Sequence, residues 1–349
     1  MPVVLQDILF PLGIGIAVFL FGMKAMEIGL HEWAGPFLSR IIGQFTNTPL
    51  RGLLTGTAAT VILQSSSAVT VITIGLVNAG VLSFRQTLGL VLGANIGASI
   101  TADMLGLDLT EYALPLLIWS GANWIIVILM TPVFRAAHAK AELRTGHPNP
   151  PFLNRILHRI AVISPSIRCL SLTLSGFACV MLGMEWMDTI VPDLQEGGLF
   201  VWFIEQSQRS LVWGIVAGAL VTAVIQSSAA TIAITMGLAA VQAISVELGI
   251  AIVLGANIGT CSTAFLACIG GSRAGQYVAY SNILLNLGGS LLFFPLIPEL
   301  VKLSSIGAAS PYDQIARAQT LFNILCSVIA LPFCYIKLNK NPPVRRRLR

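Results

Sequence analysis

Charged side chains are scarce in this chain: they make up 10% of its 349 residues, whereas apolar side chains make up 55%. Soluble globular proteins carry about 25% charged residues. Apolar runs of about 20 residues, enough for one membrane-spanning helix, recur along most of the sequence. A soluble fold is therefore excluded, and a transmembrane barrel is too, because the runs do not alternate with polar residues. The sequence predicts an all-α polytopic membrane protein.

Titratable side chains are also missing from the centres of the predicted spans. Because proton relays need titratable groups at depth, proton coupling is not expected and a metal cation such as sodium is favoured. The six cysteines form no CxxC pair, so they are interpreted as packing residues, and no cofactor is predicted. The four histidines are predicted to lie in loops: His31, His138, His147 and His158. Three acids are predicted to lie near span ends: Glu27, Asp103 and Glu185.

The net charge of +5 is concentrated in two places. Six Arg or Lys residues against one Glu lie between residues 133 and 170, and the C-terminus ends in KLNKNPPVRRRLR. Positive charge beside membrane spans marks the cytoplasmic side. Both stretches are thus predicted to be cytoplasmic, and seven crossings then place the N-terminus outside. Because this charge is explained by topology, nucleic acid is not predicted as a partner.

One polar sequence occurs twice. Thr60–Leu76 returns as Thr222–Leu238, 162 residues later, and both copies continue without a gap to LGANIG, at Leu92–Gly97 and Leu254–Gly259. Over 43 aligned positions starting at the two threonines, 19 are identical. The shared Gln, Ser, Thr and Asn are costly in hydrocarbon without a role. This pattern indicates a duplicated binding half-site.

The duplication suggests two membrane repeats, each with three full spans. Between the first and second span of each repeat lies a QSS segment, at 52–79 and 212–241. The predicted domains are repeat 1 (1–133), a basic cytoplasmic linker (134–168), repeat 2 (169–297), and a last span with a basic tail (298–349). The predicted spans are 8–30, 87–105, 113–133, 168–187, 248–270, 277–297 and 314–336.

Each QSS segment is under 30 residues, although two crossings need about 40. We therefore predict a re-entrant helical hairpin with its polar tip near the bilayer middle, where broken backbone survives only inside protein or beside water. Three crossings per repeat, an odd number, make the repeats antiparallel. This is the inverted-repeat plan of secondary transporters.

The hairpin tips are predicted to bind an anion. Serine favours helix starts, and a half-helix beginning there presents free N–H groups and the positive end of its dipole. Two such ends meeting at the midplane form an anion site without a cationic side chain. The predicted substrate-binding residues are Gln64, Ser65, Ser66, Ser67, Gln226, Ser227 and Ser228.

Oxygen-bearing side chains near the tips are candidate ligands for a hard cation, because hydroxyl and amide oxygens suit such ions. A packing role is the alternative, in which each hydroxyl bonds back to the preceding helical turn. Gly52-x-x-x-Gly56 and Gly214-x-x-x-Gly218 are interpreted as packing motifs. The sodium candidates are Thr73, Asn95, Ser99, Thr101, Thr235, Asn257, Thr260 and Thr263, with Ser262 beside them.

At these residues the chain resembles the type II sodium–phosphate cotransporter family, whose members carry a QSSS motif in each of two inverted repeats. LGANIG and Ala316–Leu325 match family segments as well, and the resemblance covers about 14–336. It implies sodium-driven uptake of inorganic phosphate, with both motifs around substrate and ions. Two departures stand out: Ala229 replaces a motif serine, and Ala98-Ser99 stand where family members often have two threonines.

The resemblance implies a multi-pass protein of a bacterial inner membrane that contacts phosphate, sodium and lipid, while homo-oligomer formation stays open. Two other transport functions are alternatives: an anion-selective channel built from paired half-helices, and a sodium-coupled carrier for another small anion. A hydrolase with Ser66 or Ser228 as nucleophile would need a nearby base, for which only Lys24 is a candidate, so an enzyme is not expected.

Overall fold

The computed structural model describes residues 10–105, 110–145, 152–196 and 198–335, and helices cover nearly all of them. The all-α prediction is confirmed for these residues. Short 3₁₀ segments lie at Thr110–Tyr112, Phe294–Leu296 and Leu331–Tyr335. The α-helices of the described ranges are α1 (Phe10–Phe45), α2 (Pro49–Leu63), α3 (Ser66–Asn78), α4 (Phe84–Leu105), α5 (Ala113–Thr145), α6 (Phe152–Glu196), α7 (Gly198–Arg209), α8 (Val212–Ile225), α9 (Ser228–Ala240), α10 (Val246–Gly259), α11 (Cys261–Cys268), α12 (Arg273–Phe293), α13 (Ile297–Ser305) and α14 (Pro311–Ala330).

Six helical stretches of the described chain are long and apolar enough to cross a membrane, which confirms a polytopic membrane protein. The predicted span 87–105 falls on α4, a helix of 22 residues that is not among the six. The count of seven crossings therefore stays a prediction. The six are Gly13–Phe45, Ala113–Met130, Ser164–Trp186, Val246–Cys268, Arg273–Ser305 and Pro311–Tyr335.

The placement of the histidines in loops was wrong wherever the structure describes them. His31 lies in α1, His138 in α5 and His158 in α6, while His147 lies outside the described residues. The physical reason is that these helices run beyond their apolar parts. Alanine, lysine, arginine and glutamate are good helix formers, so the basic linker continues α5 to Thr145 instead of forming a loop.

The chain forms two compact units. The smaller unit holds residues 14–36 and 109–185, and the larger unit holds the described residues before Ile14, residues 37–108 and those from 186 onward. Each unit draws on both predicted repeats, so the repeat boundaries stay predictions. In the smaller unit α1 and α6 pack closely, because a Cβ on Gly22 would touch the backbone of Gly176.

Within the larger unit, α2 packs along α4 with both helices running in the same direction. A Cβ on Gly89 would overlap the carbonyl oxygen of Pro49, and a Cβ on Gly93 that of Leu53. Further along, a Cβ on Gly97 would lie 2.6 Å from Cβ of Thr60. Glycine allows this backbone approach. The predicted packing position Gly56 takes part in it, because a Cβ there would overlap the carbonyl oxygen of Leu90.

The second copy repeats this arrangement with α8 and α10. A Cβ on Gly255 would overlap the carbonyl oxygen of Ile215, and a Cβ on Gly218 that of Ile252. A Cβ on Gly259 would lie 2.5 Å from Cβ of Thr222. The same spacing of glycines therefore produces the same parallel helix pair in both copies.

Both short helix pairs return to the end at which they begin. Five residues connect the last residue of α3, Asn78, to the first of α4, Phe84, and the start of α4 lies beside the start of α2. The same reasoning applies to α9, α10 and α8, since five residues separate Ala240 from Val246. We call residues 49–78 the first hairpin and residues 212–240 the second hairpin.

Helix α14 shows that the two hairpins open at opposite ends of the larger unit. It is antiparallel to α4, because Asn323 bonds Ser99 and Ser327 bonds the carbonyl of Leu92. It is parallel to α10. A Cβ on Gly249 would touch Ile315 near the start of α14, and further along both helices Asn257 bonds Gln319. Helices α4 and α10 thus run in opposite directions.

Candidate functional site

The tip of the first hairpin is a two-residue break between α2 and α3. Gln64 ends α2 in the left-handed conformation, with φ of 53°, and its amide nitrogen donates to the carbonyl of Val61 over 2.8 Å. Ser65 is extended and caps α3, accepting the backbone N–H of Ala68 at 3.2 Å. Ser66 then begins α3 and is half-buried.

The tip of the second hairpin has the same geometry. Gln226 ends α8 with φ of 59°, and Ser227 is extended and caps α9 by accepting the N–H of Ala230 at 3.2 Å. Ser228 begins α9 and is buried. A left-handed conformation is uncommon for a residue with a Cβ and costs about 1 kcal/mol. The predicted half-helix starts at Gln-Ser-Ser are therefore present in both copies.

The two hairpins differ inside. In the second, Thr222 of α8 donates to Thr231 of α9 over 2.8 Å, and Thr231 donates to the carbonyl of Ser227 over 3.2 Å. The first hairpin has Val69 at the position of Thr231. The hydroxyl of Thr60, the counterpart of Thr222, is buried and has no hydrogen-bond partner among the residues that the structure describes.

One contact joins the first tip to the chain beside the second. Ser67 Oγ lies 3.4 Å from Thr263 Oγ1, and Thr263 itself donates to the carbonyl of Thr260 over 2.8 Å. Ser67 is thus the donor. Thr263 lies in α11, four residues after Gly259, which packs on the second hairpin at Thr222. The first tip therefore contacts the helix that follows Gly259, the residue at which the second copy packs on its own hairpin.

Buried amides connect the two LGANIG segments to α12 and α14. Asn257 donates to Gln319 Oε1 over 2.9 Å, and Gln319 donates back over 3.4 Å. Ser99 accepts from Asn323 at 2.7 Å. Asn95 donates to Asn286 Oδ1 over 3.1 Å. The predicted residues Asn95, Ser99 and Asn257 thus share one polar core.

Sequence reasoning did not assign a site role to four members of this core. A detectable signal was present, because amide side chains four residues apart lie on one face of a helix. Such pairs inside apolar runs mark a buried polar face. The four residues are Asn282 and Asn286 on α12 and Gln319 and Asn323 on α14.

The hydroxyl groups of the sodium candidates bond mainly to the preceding helical turn. Thr73 donates to Val69, Thr235 to Thr231 and Thr101 to Gly97, while Thr260 and Ser262 donate to carbonyls three residues earlier. This is the geometry of a packing threonine or serine. It still leaves the lone pairs of each oxygen for a cation, because the hydroxyl gives only its proton to the carbonyl.

Formal charge is absent from the sequence of both hairpin cores, since residues 60–78 and 222–240 contain no Asp, Glu, Lys or Arg. The described residues also hold no cluster of three His, Cys, Asp or Glu side chains. The residues present therefore suit a weakly held ion coordinated by neutral oxygens. Two described cavities, of 400 and 620 Å³, are lined by other residues.

Comparison with known proteins identifies a family and several relatives. Residues 18–140 and 179–310 match the family model described as Na+/Pi-cotransporter. "Uncharacterized protein YqeW" of Bacillus subtilis is 28% identical over 317 residues, covering 91% of this chain and 92% of that protein. No solved structure matches the chain significantly.

Two further relatives carry names that refer to phosphate. "Putative inorganic phosphate export protein YjbB" of Escherichia coli is 23% identical over 91% of this chain and 52% of that protein. "Sodium-dependent phosphate transport protein 2A" of Mus musculus is 25% identical over 72% of this chain and 54% of that protein. The chain spans about half the length of these two relatives.

Proposed function

Because the chain belongs to the Na+/Pi-cotransporter family, we propose that it is a secondary transporter that moves inorganic phosphate across a membrane together with sodium. The observation that carries the proposal is the pair of tips. Each places a left-handed Gln and a capping Ser at the start of a half-helix. Helix starts bind anions through free N–H groups and the positive end of the dipole.

Phosphate would lie between the two tips, held by N–H groups and by the hydroxyls of Ser66 and Ser228. Both residues follow the caps, and neither hairpin core supplies a cationic side chain. Sodium would then supply the positive charge. The oxygens of Thr73 and Thr235 are suited to this role because their protons are already committed to backbone carbonyls.

The directions of the helices support an inverted-topology pair of repeats. The hairpins open at opposite ends, and helices of 13 to 15 residues are about 20–22 Å long. That is shorter than the hydrocarbon core of about 30 Å, so re-entrant hairpins are favoured over crossings. Alternating access would follow from rocking one hairpin against the other.

The cellular setting is part of the same proposal. We expect a multi-pass protein of a bacterial inner membrane, with the N-terminus outside and the basic C-terminus in the cytoplasm, because positive charge marks the cytoplasmic side. The basic linker, residues 134–168, would lie on the same side. Cysteine-scanning with a membrane-impermeant thiol reagent on intact cells tests this orientation.

The test of transport uses purified protein in liposomes. Radiolabelled phosphate should accumulate with an inward sodium gradient and not with potassium or choline. Ser66→Ala and Ser228→Ala should each weaken apparent phosphate affinity about tenfold or more, since a hydrogen bond to a charged group contributes about 1.5–3 kcal/mol. Equal uptake in all three salts would exclude sodium coupling.

Direction is the finer question, because one relative is named for export and another for sodium-dependent transport. We favour import, since an inward sodium gradient drives a symporter inward. Vesicles preloaded with phosphate test the export alternative: efflux through a sodium symporter should slow when internal sodium is replaced by potassium, whereas an exporter that does not use sodium releases phosphate equally in both salts. Flux that never exceeds equilibrium would instead indicate an anion channel, the alternative function.

A further inference from the structure

A groove of 400 Å³ lies between α4, α12 and α14, away from the hairpin tips. Its walls are formed mainly by leucine and other apolar side chains, with Ser281, Cys326 and Cys334 among them, and no candidate site residue lines it. Leu284 on one wall is 74% exposed and Phe333 on another is 65% exposed. The groove therefore opens on the outer surface of the larger unit, which faces lipid in a membrane-spanning protein.

The length of the groove fits one lipid leaflet. Along α12 it extends from Ser281 to Leu292, a distance of about 16 Å at 1.5 Å per residue. Half of a hydrocarbon core of about 30 Å is nearly the same length. One extended acyl chain would therefore fill the groove from the headgroup level to the bilayer middle.

Positive charge lies at one end of the groove. Arg85 is one turn before Leu88 of the groove wall, is half-buried, and donates one Nη2 hydrogen bond to the carbonyl of Tyr335 over 3.0 Å. Arg273 begins α12 and is exposed. The rings of Phe84 and Tyr277, 5.8 Å apart, bring these two helix starts together.

The opposite end of the groove is apolar. Residues 286–298, which include Leu292, the last lining residue on α12, contain no charged side chain. Charge at one end and hydrocarbon along the rest is the distribution of a phospholipid with an anionic headgroup. Arginine pairs with phosphate through several N–H groups at once, and Arg85 uses only one of its five donors on Tyr335.

We propose that this groove binds one acyl chain of an anionic phospholipid, whose headgroup phosphate pairs with Arg85 and Arg273. The site is independent of the transported phosphate, because it lies on lipid-facing walls of α4, α12 and α14 and shares no residue with the tips. The bound lipid would hold the starts of α4 and α12 together at the end where the Phe84–Tyr277 contact lies.

Native mass spectrometry of the full chain in detergent tests the headgroup. With phosphatidylglycerol and phosphatidylcholine of identical acyl chains, the protein should retain one phosphatidylglycerol at least about fivefold more strongly, the ratio expected for one arginine near an anionic lipid. Arg85→Gln should remove most of the preference and Arg273→Gln should reduce it by a smaller amount. Arg85→Lys, which keeps the charge, should retain most of it.

A filled groove tests the acyl chain. A Cβ on Gly288 would meet nothing within 4 Å, so the side chain added by Gly288→Leu begins in open space and occupies part of the groove. It should lower retention of both lipids about tenfold. Gly121→Leu is the matched control, because Gly121 is also helical and a Cβ there also meets nothing within 4 Å. It should bind both lipids as the unmodified protein does.

Three results would each overturn the proposal: equal retention of the two lipids by the unmodified protein, an unchanged preference in Arg85→Gln, or unchanged binding in Gly288→Leu. Thermal unfolding in detergent checks that every variant folds. Should Gly288→Leu fail that check, Leu284→Ala replaces it, because that exposed rim change leaves the core intact and should also weaken both lipids.

Discussion

The two hairpins have the same tip geometry, but different contacts hold their helices in place. The second hairpin ties its own helices together through Thr222 and Thr231. The first leaves Thr60 without a partner among the described residues and instead contacts α11 from its tip, through Ser67 and Thr263. Identical turn chemistry therefore does not make equivalent elements. The difference predicts that the first hairpin separates its helices more easily and moves more during transport.

The helices that follow the hairpins differ in the same sense. Helix α4 is continuous, whereas its counterpart breaks at Thr260 into α10 and α11. The break lies where the first copy has Ala98, and Thr260 donates to the carbonyl of Asn257. The second copy, whose hairpin has the internal Thr222–Thr231 hydrogen bond, is thus also the copy with the interrupted helix. Four sets of substitutions test how far this asymmetry extends.

The largest expected effect concerns the partner of Asn257. Gln319→Leu removes both hydrogen bonds of that buried amide pair and leaves the Oδ1 atom of Asn257 buried without this partner, while the bond from Asn257 to the carbonyl of Val253 remains. The loss should cost about 2–3 kcal/mol of unfolding free energy. Denaturant titration in detergent micelles measures it. Gln314→Leu on the same helix is the control, because its bond to Val301 lies in a half-buried position. A loss no larger than the control would contradict the role of Gln319.

Removing the Thr222–Thr231 hydrogen bond of the second hairpin should have the next largest effect on the unfolding free energy. Thr231→Val leaves Thr222 buried and unpaired, as Thr60 is, and should cost about 1–2 kcal/mol. Adding Thr222→Val should recover most of that loss, since two apolar groups of the same shape replace the pair. A double-mutant cycle on unfolding free energies gives the coupling. Additive losses would show that the bond contributes nothing.

Adding the equivalent hydrogen bond to the first hairpin should have a smaller effect, and it should raise stability instead of lowering it. Val69→Thr supplies a hydroxyl at the position of Thr231 and should stabilise the protein by about 0.6 kcal/mol, the average for a side-chain hydrogen bond within a membrane. Transport should slow if the first hairpin is the moving one. Thr60→Val combined with Val69→Thr removes the donor, the counterpart of Thr222, and serves as the control, which should lose the gain.

Exchanging the residues at the third serine position of the motif, Ser67 and Ala229, should have the smallest effect on stability. Ser67→Ala removes a bond of 3.4 Å, a long one, so the stability change should stay below about 0.5 kcal/mol. Ala229→Ser makes the second motif match the first. Sodium dependence of phosphate uptake is the readout here, and a changed number of sodium ions in either variant would assign the third serine to an ion rather than to packing.

Much of this arrangement could be predicted from the sequence. The break at each Gln-Ser pair follows from serine at a helix start, and the repeated glycines predict close helix pairs. The helix ends could not be predicted in the same way, because α1 and α5 run past their apolar parts. Hydropathy reports where a helix meets lipid and not where it stops.

The amide core was the other gap. Asn95 and Asn257 were candidates because they repeat, whereas Gln319 and Asn323 lie in α14, outside both copies, and repetition could not find them. Their role depends on α14 lying antiparallel to α4 and parallel to α10, which is a property of tertiary packing. A search for paired amides within apolar helices would have detected them.

The position of α14 in the chain has a consequence for biosynthesis. Ser99 leaves the ribosome 224 residues before Asn323, and Asn257 62 residues before Gln319. Until α14 is inserted, both residues lack these partners in an apolar surrounding. The two hairpins can therefore form early, but their packing into one polar core is completed only after a late helix enters the membrane, which makes that insertion step the point of commitment in assembly.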